Sequence, residues 1–370
     1  MDSTEPKGTK PAQPQEARTS SLMARGRRSW LWSLLTGLLI LGLIGTIPFQ
    51  NDVAGLILWT NVIMFCCLAQ AWNLIGGFVG YAAFGNVVFF GIGAYTVAVA
   101  LQHHLSYVFG LLLGVIISAT FAFLLGLPVL RLKGHYFAIA TLGVAVAIGE
   151  VVEAEGIGGP GGEASLPAPT FGGLDTNTVF FFAFILLSAL LLLGTTWLTR
   201  ARFGYALVAI RENEQAAEAL GIPTFWYKVA AFTLSAIPTA LAGGIYAYWQ
   251  QFFNPSGEGG AFDPSRSIAM VLMTFLGGAG TIVGPLIGGI VVEYLDNFTL
   301  ISFPTIHGPL LGAIVILVTI FLPQGLIRLV QELTRAPVAL EGPEAARVSY
   351  IHRIGEGVRR VFRFIASQGV

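Results

Sequence analysis

Charged residues are scarce in this 370-residue chain. Asp, Glu, Lys and Arg together make up 11% of it, whereas soluble domains average about 25%. A water-exposed globule cannot be covered with so few charges. Hydrophobic residues make up 55% of the chain, and the mean hydropathy is +0.74. The composition therefore predicts an all-α polytopic membrane protein.

Other scarcities exclude several kinds of site. The only cysteines, Cys66 and Cys67, are adjacent inside an apolar run, which indicates packing rather than a disulfide or metal site. The pair His103-His104 has no third ligand nearby in sequence, so we predict no metal site there. Basic and acidic residues both number 20, which gives no support for nucleic-acid binding. The chain also lacks a GxxxxGK(S/T) phosphate loop, so we expect it to bind no nucleotide or other cofactor itself.

Long apolar runs are abundant, and a bilayer-spanning helix needs roughly 20 such residues. A Gly-rich region at 267–297 interrupts the series, and one more apolar run follows it at 305–325. The earlier runs predict spans near residues 30–48, 53–75, 80–101, 107–130, 135–154, 178–198 and 226–249.

The distribution of Lys and Arg gives the orientation, because cytoplasmic loops carry an excess of both. With both termini in the cytoplasm, only Arg266 of the 20 basic residues falls outside. We predict a disordered basic cytoplasmic tail at 1–29 and a transmembrane domain at 30–326. Residues 327–370 form a basic amphipathic cytoplasmic tail that either lies on anionic lipid or contacts a partner.

Two cytoplasmic termini require an even number of crossings. The segment around "GGAGTIVGP" therefore forms either two short crossings or a re-entrant pair. We expect about ten transmembrane helices, with eight plus a re-entrant pair as the open alternative. Both solutions place a glycine-broken segment inside the protein, since irregular backbone at membrane depth must be covered by protein or line a cavity.

The densest internal run of charge is "RENEQAAEALG" at residues 211–221. It belongs to residues 200–225, which we call the coupling segment. Helical spacing places Ala206, Ile210, Ala217 and Leu220 on one face, with acids and one arginine opposite. Gly221 and Pro223 end the helix. The pattern predicts a cytoplasmic amphipathic helix that either docks a protein or lies on the bilayer.

Four ordered blocks resemble the branched-chain amino acid permeases of the LivM type, over roughly residues 55–325. "QAAEALG" (215–221) further resembles the EAA-xxx-G loop of bacterial ABC importer permeases, with Gln215 in the Glu position. One departure is Asn86, where relatives often have His. The four blocks are "AWNLIGGFVGYAAFGNVVFFGIGAYT" (71–96), "RLKGHYFAIATLGVA" (131–145), "RFGYALVAIRENEQAAEALGIPTFWYKVAAFTLSAIPTALAGGIYAY" (202–248) and "MTFLGGAGTIVGPLIGG" (273–289).

The resemblance implies a non-catalytic subunit of an ATP-driven importer in the bacterial inner membrane. Its relatives pair with a second permease of the LivH type, two ATP-binding subunits that bind ATP and Mg, and an extracytoplasmic substrate-binding protein. The acidic loop 150–176 and the loop 250–266 are then expected to receive the binding protein; the alternative is a solvated surface. The residues expected to couple the chain to an ATP-binding subunit are Arg211, Glu212, Glu214, Gln215, Ala216, Ala217, Glu218 and Gly221.

Pathway residues are expected where glycines and polar side chains interrupt the apolar spans, because buried polar groups in membranes tend to be functional. The alternative for the glycines is close helix packing. The candidates are Trp72, Asn73, Gly77, Gly80, Asn86, Tyr136, Thr141, Gly277 and Gly278.

Two other functions stay open. The first is the same kind of importer acting on urea or short amides, which close relatives transport. The second is an ion-coupled secondary transporter, which would usually carry ionisable residues near mid-membrane. The first four predicted spans contain none, and the nearest candidates are Glu293 and Asp296.

Overall fold

The computed structural model describes residues 33–49, 53–132, 134–169, 175–257 and 259–303, with the short pieces 309–310, 312–313 and 325–327. The predicted tails and most of the predicted span 305–325 lie outside these residues. Within the described ranges the chain is almost entirely helical. The helices are α1 (Ser33–Ile44), α2 (Val53–Trp72), α3 (Val87–Gln102), α4 (Tyr107–Val129), α5 (His135–Ala154), α6 (Thr176–Arg200), α7 (Arg202–Glu212), α8 (Glu214–Ala219), α9 (Thr224–Gln250), α10 (Pro264–Gly277) and α11 (Gly284–Ser302).

Five of the described helices are long and apolar enough to cross a membrane: α2, α4, α5, α6 and α9. Helices α1 and α3 are apolar but shorter. These long apolar helices confirm that the protein is helical and crosses the membrane several times. The described residues do not decide between ten crossings and eight with a re-entrant pair, so both stay predictions.

The predicted span 80–101 starts too early, whereas the predicted end of the preceding span, at 75, lies close to the observed one. Helix α2 ends at Trp72 and α3 begins at Val87. Residues 73–86 form an irregular segment that we call the first break. The Trp72 ring lies over Gly76, where a Cβ would collide with it, and its Nε1 donates to the Ala83 carbonyl at 2.7 Å. Side chains thus satisfy backbone groups that a continuous helix would have satisfied itself.

The predicted glycine-broken segment is confirmed between α10 and α11. Residues 278–283, which we call the second break, separate a 14-residue helix from a 19-residue one. Fourteen residues rise about 21 Å, which is less than the roughly 30 Å thickness of a bilayer core. The two helices pack closely through glycines, since a Cβ at Gly277 would collide with the Gly284 carbonyl oxygen.

Helices α3 and α9 pack closely through glycines. A Cβ at Gly93 would collide with the Ala240 carbonyl oxygen, and one at Gly243 with the Phe90 carbonyl oxygen. Small residues at these points let the two backbones approach each other, as in other membrane helix interfaces. Close helix packing is therefore the role that the structure gives to Gly93 and Gly243.

The loop after α5 carries a small departure from the all-helical prediction. Strand β1 (Ala164–Ser165) pairs antiparallel with strand β2 (Phe252–Phe253), which follows α9. The Tyr95 hydroxyl donates to the Gly162 carbonyl at 2.6 Å and ties the loop to α3. The acidic loop is thus attached to α3 and to the residues that follow α9.

Candidate functional site

The coupling segment is two helices rather than the single predicted one. Helices α7 and α8 meet at Asn213, whose backbone is extended at φ −161° and ψ 105°. The Asn213 side chain accepts a hydrogen bond from the Ala216 amide at 3.0 Å and caps α8. Asparagine is a preferred residue at such caps. A continuous helix over 204–221 is therefore wrong at this residue.

Burial along the segment follows the predicted apolar face with one exception. Ala206, Ile210 and Ala217 are buried, as the helical spacing predicts. Leu220 is 81% exposed, contrary to the prediction. Helix α8 ends at Ala219 and Leu220 is its C-cap, so the helical spacing no longer sets the direction of this side chain.

The outward surface of the segment is acidic. The Glu212 side chain is 70% exposed, and Gln215, Ala216, Glu218 and Gly221 are also exposed. Glu218 accepts a hydrogen bond from the Thr224 hydroxyl at 2.7 Å, which steadies the turn into α9. We call Glu212, Gln215 and Glu218 the outward face.

Arg211 turns inward to the first break, and its guanidinium also pairs with Glu212 of the outward face. Its guanidinium Nη1 donates to the Gly77 carbonyl in the first break at 2.9 Å, while Nη2 contacts the Glu212 carboxylate at 3.0 Å. A Cβ at Gly80 would lie 2.8 Å from Arg211 Cγ, and a Cβ at Gly280 would collide with Nη1. Glycines from both breaks therefore leave the space that this one side chain occupies.

Glu214 also turns inward and forms a partly buried ion pair. Its Oε1 lies 2.6 Å from Lys228 Nζ, and the Tyr81 hydroxyl donates to its Oε2 at 3.0 Å. Lys228 Nζ also contacts the Tyr81 hydroxyl at 3.1 Å and lies 4.9 Å from the centre of the Tyr81 ring. This cluster links α8 and α9 to the first break. Because the Lys228 ammonium is largely removed from water, it depends on these partners for its charge.

The side chain of Asn73 joins the two breaks directly. Its Oδ1 accepts from the Gly280 amide at 2.8 Å, and its Nδ2 donates to the Thr281 carbonyl at 2.9 Å. The Thr281 hydroxyl in turn donates to the Gly278 carbonyl at 2.7 Å and accepts from the Gly284 amide. The two breaks are thus held together by hydrogen bonds that stand in for missing helical ones.

The structure gathers most of the predicted pathway residues around the breaks. Trp72, Asn73, Gly77 and Gly80 belong to the first break or its edge, and Gly277 and Gly278 to the second. Thr141 accepts the Phe84 amide at 3.1 Å, so it braces the first break from α5. Asn86 is buried, with its Nδ2 3.4 Å from the Ser235 hydroxyl. Tyr136 stands apart, because it is 75% exposed on α5.

Four members of this arrangement were not predicted from the sequence: Tyr81, Lys228, Gly280 and Thr281. Lys228 carried a detectable signal, because it lies just inside a predicted apolar span, where an isolated charge needs a partner. Gly280 and Thr281 lie in the predicted glycine-broken segment but were not singled out within it, and Tyr81 gave no comparable signal. Their roles depend on how the two breaks meet across about 200 residues of sequence.

These features define a class: a polytopic helical membrane protein whose charged segment contacts two interrupted membrane helices. The family model for the permease component of branched-chain amino acid transport systems matches residues 54–319. The chain therefore belongs to this family. It is 31% identical over 335 residues to the LivM permease protein of the high-affinity branched-chain amino acid transport system of Salmonella typhimurium. That match covers 80% of this chain and 75% of the relative.

Other relatives fit the same class. The LivM protein of Escherichia coli K12 is 32% identical over 317 residues, which cover 76% of this chain and 71% of the relative. A shorter match of 135 residues, 31% identical, relates the chain to the permease protein LsrC of the autoinducer 2 import system of Yersinia pestis. It covers 35% of this chain and 38% of that relative. No solved structure gives a significant match.

Proposed function

We propose that this chain is the membrane-spanning subunit of an ATP-driven importer of branched-chain amino acids in the bacterial inner membrane. Two LivM relatives, each aligned over more than two thirds of its length, carry the substrate assignment. Both termini lie in the cytoplasm, so the coupling segment is cytoplasmic. A LivH-type permease, two ATP-binding subunits and an extracytoplasmic binding protein complete the importer.

The outward face of the coupling segment is the proposed contact with an ATP-binding subunit. Glu212, Gln215 and Glu218 are exposed, and Leu220 adds an exposed apolar side chain next to them. A polar rim around an apolar residue is a common composition for a protein interface. ATP-driven movement of the partner then displaces the segment and changes the populations of outward-facing and inward-facing states.

The translocation pathway is proposed to pass the two breaks. Interrupted helices at membrane depth are tolerated where they are covered by protein or line a cavity. Discontinuous helices also form the substrate sites of several transporter folds. Asn73 and the backbone groups around Gly77 and Gly278 are the polar groups available there. A second permease subunit supplies the other half of the pathway.

Reconstitution of the complete importer tests this function. The chain is co-expressed with the subunits encoded beside it, purified, and placed in proteoliposomes. We expect ATP-binding subunits to co-purify and leucine uptake to require ATP and the binding protein. Uptake that runs on a proton gradient without ATP would contradict the proposal. ATP-dependent uptake of urea or short amides, with no uptake of leucine, would replace the proposed substrate.

Charge reversal on the outward face tests the docking contact. The double variant Glu212→Arg with Glu218→Arg should lose the ATP-binding subunit on purification. Glu155→Arg is the matched control, because Glu155 is an exposed acid on the distant loop after α5. Full retention of the ATP-binding subunit by the double variant would rule out this surface as the docking contact.

A further inference from the structure

One side chain of the coupling segment occupies space left by glycines in two distant parts of the sequence. Gly77 and Gly80 belong to the first break, and Gly280 belongs to the second. The Gly77 carbonyl accepts from Arg211 Nη1, Gly80 faces Arg211 Cγ, and Gly280 faces Nη1. A side chain at Gly80 or Gly280 would intrude on the arginine. The arrangement is therefore specific to a long, planar side chain at position 211.

Arg211 has two acceptors, the Gly77 carbonyl in the first break and the Glu212 carboxylate in the coupling segment itself. Among the described residues no backbone amide donates to the Gly77 carbonyl, so it can accept from outside its own segment. The contact also lies beside Asn73, which bonds both breaks. A displacement of Arg211 consequently acts on the first break directly and on the second through Asn73.

A second set of contacts also joins the coupling segment to the first break and limits how the segment can move. Glu214, one helix further along, is held by Lys228 and by Tyr81 of the first break. Arg211 and Glu214 lie on opposite sides of Asn213, where the backbone is extended. Both helices of the coupling segment are therefore attached to the first break, at Gly77 and at Tyr81.

We propose that Arg211 is a positioning residue that transmits displacement of the coupling segment to the two breaks, and that it takes no part in docking the ATP-binding subunit. This inference rests on the proposed importer function. Coupled motion between sites needs a physical connection with two arrangements. The Arg211 contact to Gly77, together with the Asn73 bridge to Gly280 and Thr281, supplies that connection.

The test measures the number of leucine molecules transported per ATP hydrolysed in the reconstituted importer. Arg211→Gln and Arg211→Lys should keep the ATP-binding subunits and hydrolyse ATP, while transport per ATP falls at least about tenfold. Lysine should not restore transport per ATP, because its ammonium lacks the planar arrangement of N–H donors that a guanidinium has. Arg202→Gln is the matched control, because Arg202 is an exposed arginine of the same helix α7, and it should keep the wild-type ratio.

Several outcomes would overturn the inference. A wild-type ratio of transport to ATP hydrolysis in Arg211→Gln would show that the side chain transmits nothing. Loss of the ATP-binding subunit from an otherwise intact permease pair would show that Arg211 is a docking contact. In both cases the wild-type complex would still import leucine with ATP, so failure of this inference is distinguishable from failure of the proposed function.

Hydrogen exchange in the wild-type importer provides a test that needs no variant. We expect ATP binding to change the exchange of amides in residues 211–221 and in residues 278–284 together. The Gly280 amide is the most direct reporter, because Asn73 Oδ1 is its acceptor. A change confined to residues 211–221 would contradict the proposed transmission.

Discussion

The two sides of the coupling segment use the same residue types for different purposes. Arg211 and Glu214 turn inward, where each has a fixed partner in the first break. Glu212, Gln215 and Glu218 turn outward and are exposed. Sequence position does not separate the two groups, since inward and outward residues alternate between 211 and 218. What separates them is the interruption at Asn213 and the side-chain partners beneath the segment.

The largest expected effect of a substitution lies on the inward side, at Lys228. Lys228→Met leaves the Glu214 carboxylate next to apolar packing without its cation. Breaking such a buried pair costs about 3–5 kcal/mol, and partial exposure of Glu214 places the expected loss near the lower end. The measurement is the thermal unfolding of the detergent-solubilised complex, which should shift to lower temperature.

A double variant sharpens this prediction. Lys228→Met combined with Glu214→Gln removes both charges, and we expect it to regain much of the stability lost by Lys228→Met alone. Equal losses in the single and the double variant would show that packing around Lys228, rather than the ion pair, holds the coupling segment.

The second largest effect of a substitution is expected at Gly280, where the backbone has φ +75°. Gly280→Ala places a methyl group against Arg211 Nη1 and adds a backbone strain of about 1–2 kcal/mol. We expect transport per ATP to fall, as for Arg211→Gln but less completely. Gly134→Ala is the control, because Gly134 also has a positive φ but has no neighbour within 4 Å. If transport per ATP falls equally in both variants, backbone strain alone explains the loss.

Sequence reasoning predicted the class of fold, the apolar runs and the glycine-broken segment near 280. It could not place the first break, because the run from 53 to 101 contains no Asp, Glu, Lys or Arg that would mark an interruption. Hydropathy records the polarity of side chains, whereas the first break depends on backbone groups that distant side chains satisfy. Thr141, 57 residues away, accepts the Phe84 amide, and Arg211 donates to Gly77 over 134 residues.

The sequence predicted which residues belong to the candidate site better than it predicted how they are arranged. The charged residues of the coupling segment were identified from their isolation within an apolar chain. Their division into two sides was not, because a helical wheel assumes one continuous helix and Asn213 interrupts it. Leu220 was expected on the buried face and is exposed, because it follows the last residue of α8.

The smallest expected effect lies on the outward side, at Gln215. Gln215→Glu adds one charge to an exposed position that already lies between two exposed acids. Surface charge changes of this kind are worth about 0–1 kcal/mol. We expect wild-type stability and at most a small change in the affinity for the ATP-binding subunit, measured by titrating that subunit. A shift of more than tenfold would mean that Gln215 occupies the centre of the interface rather than its rim.

The division between the two sides is tested most directly by retention of the ATP-binding subunit in two variants purified side by side. The account predicts that Arg211→Gln keeps this subunit while Glu212→Arg with Glu218→Arg loses it. Retention by the charge-reversed variant together with loss from Arg211→Gln would contradict the assignment of the inward and outward residues.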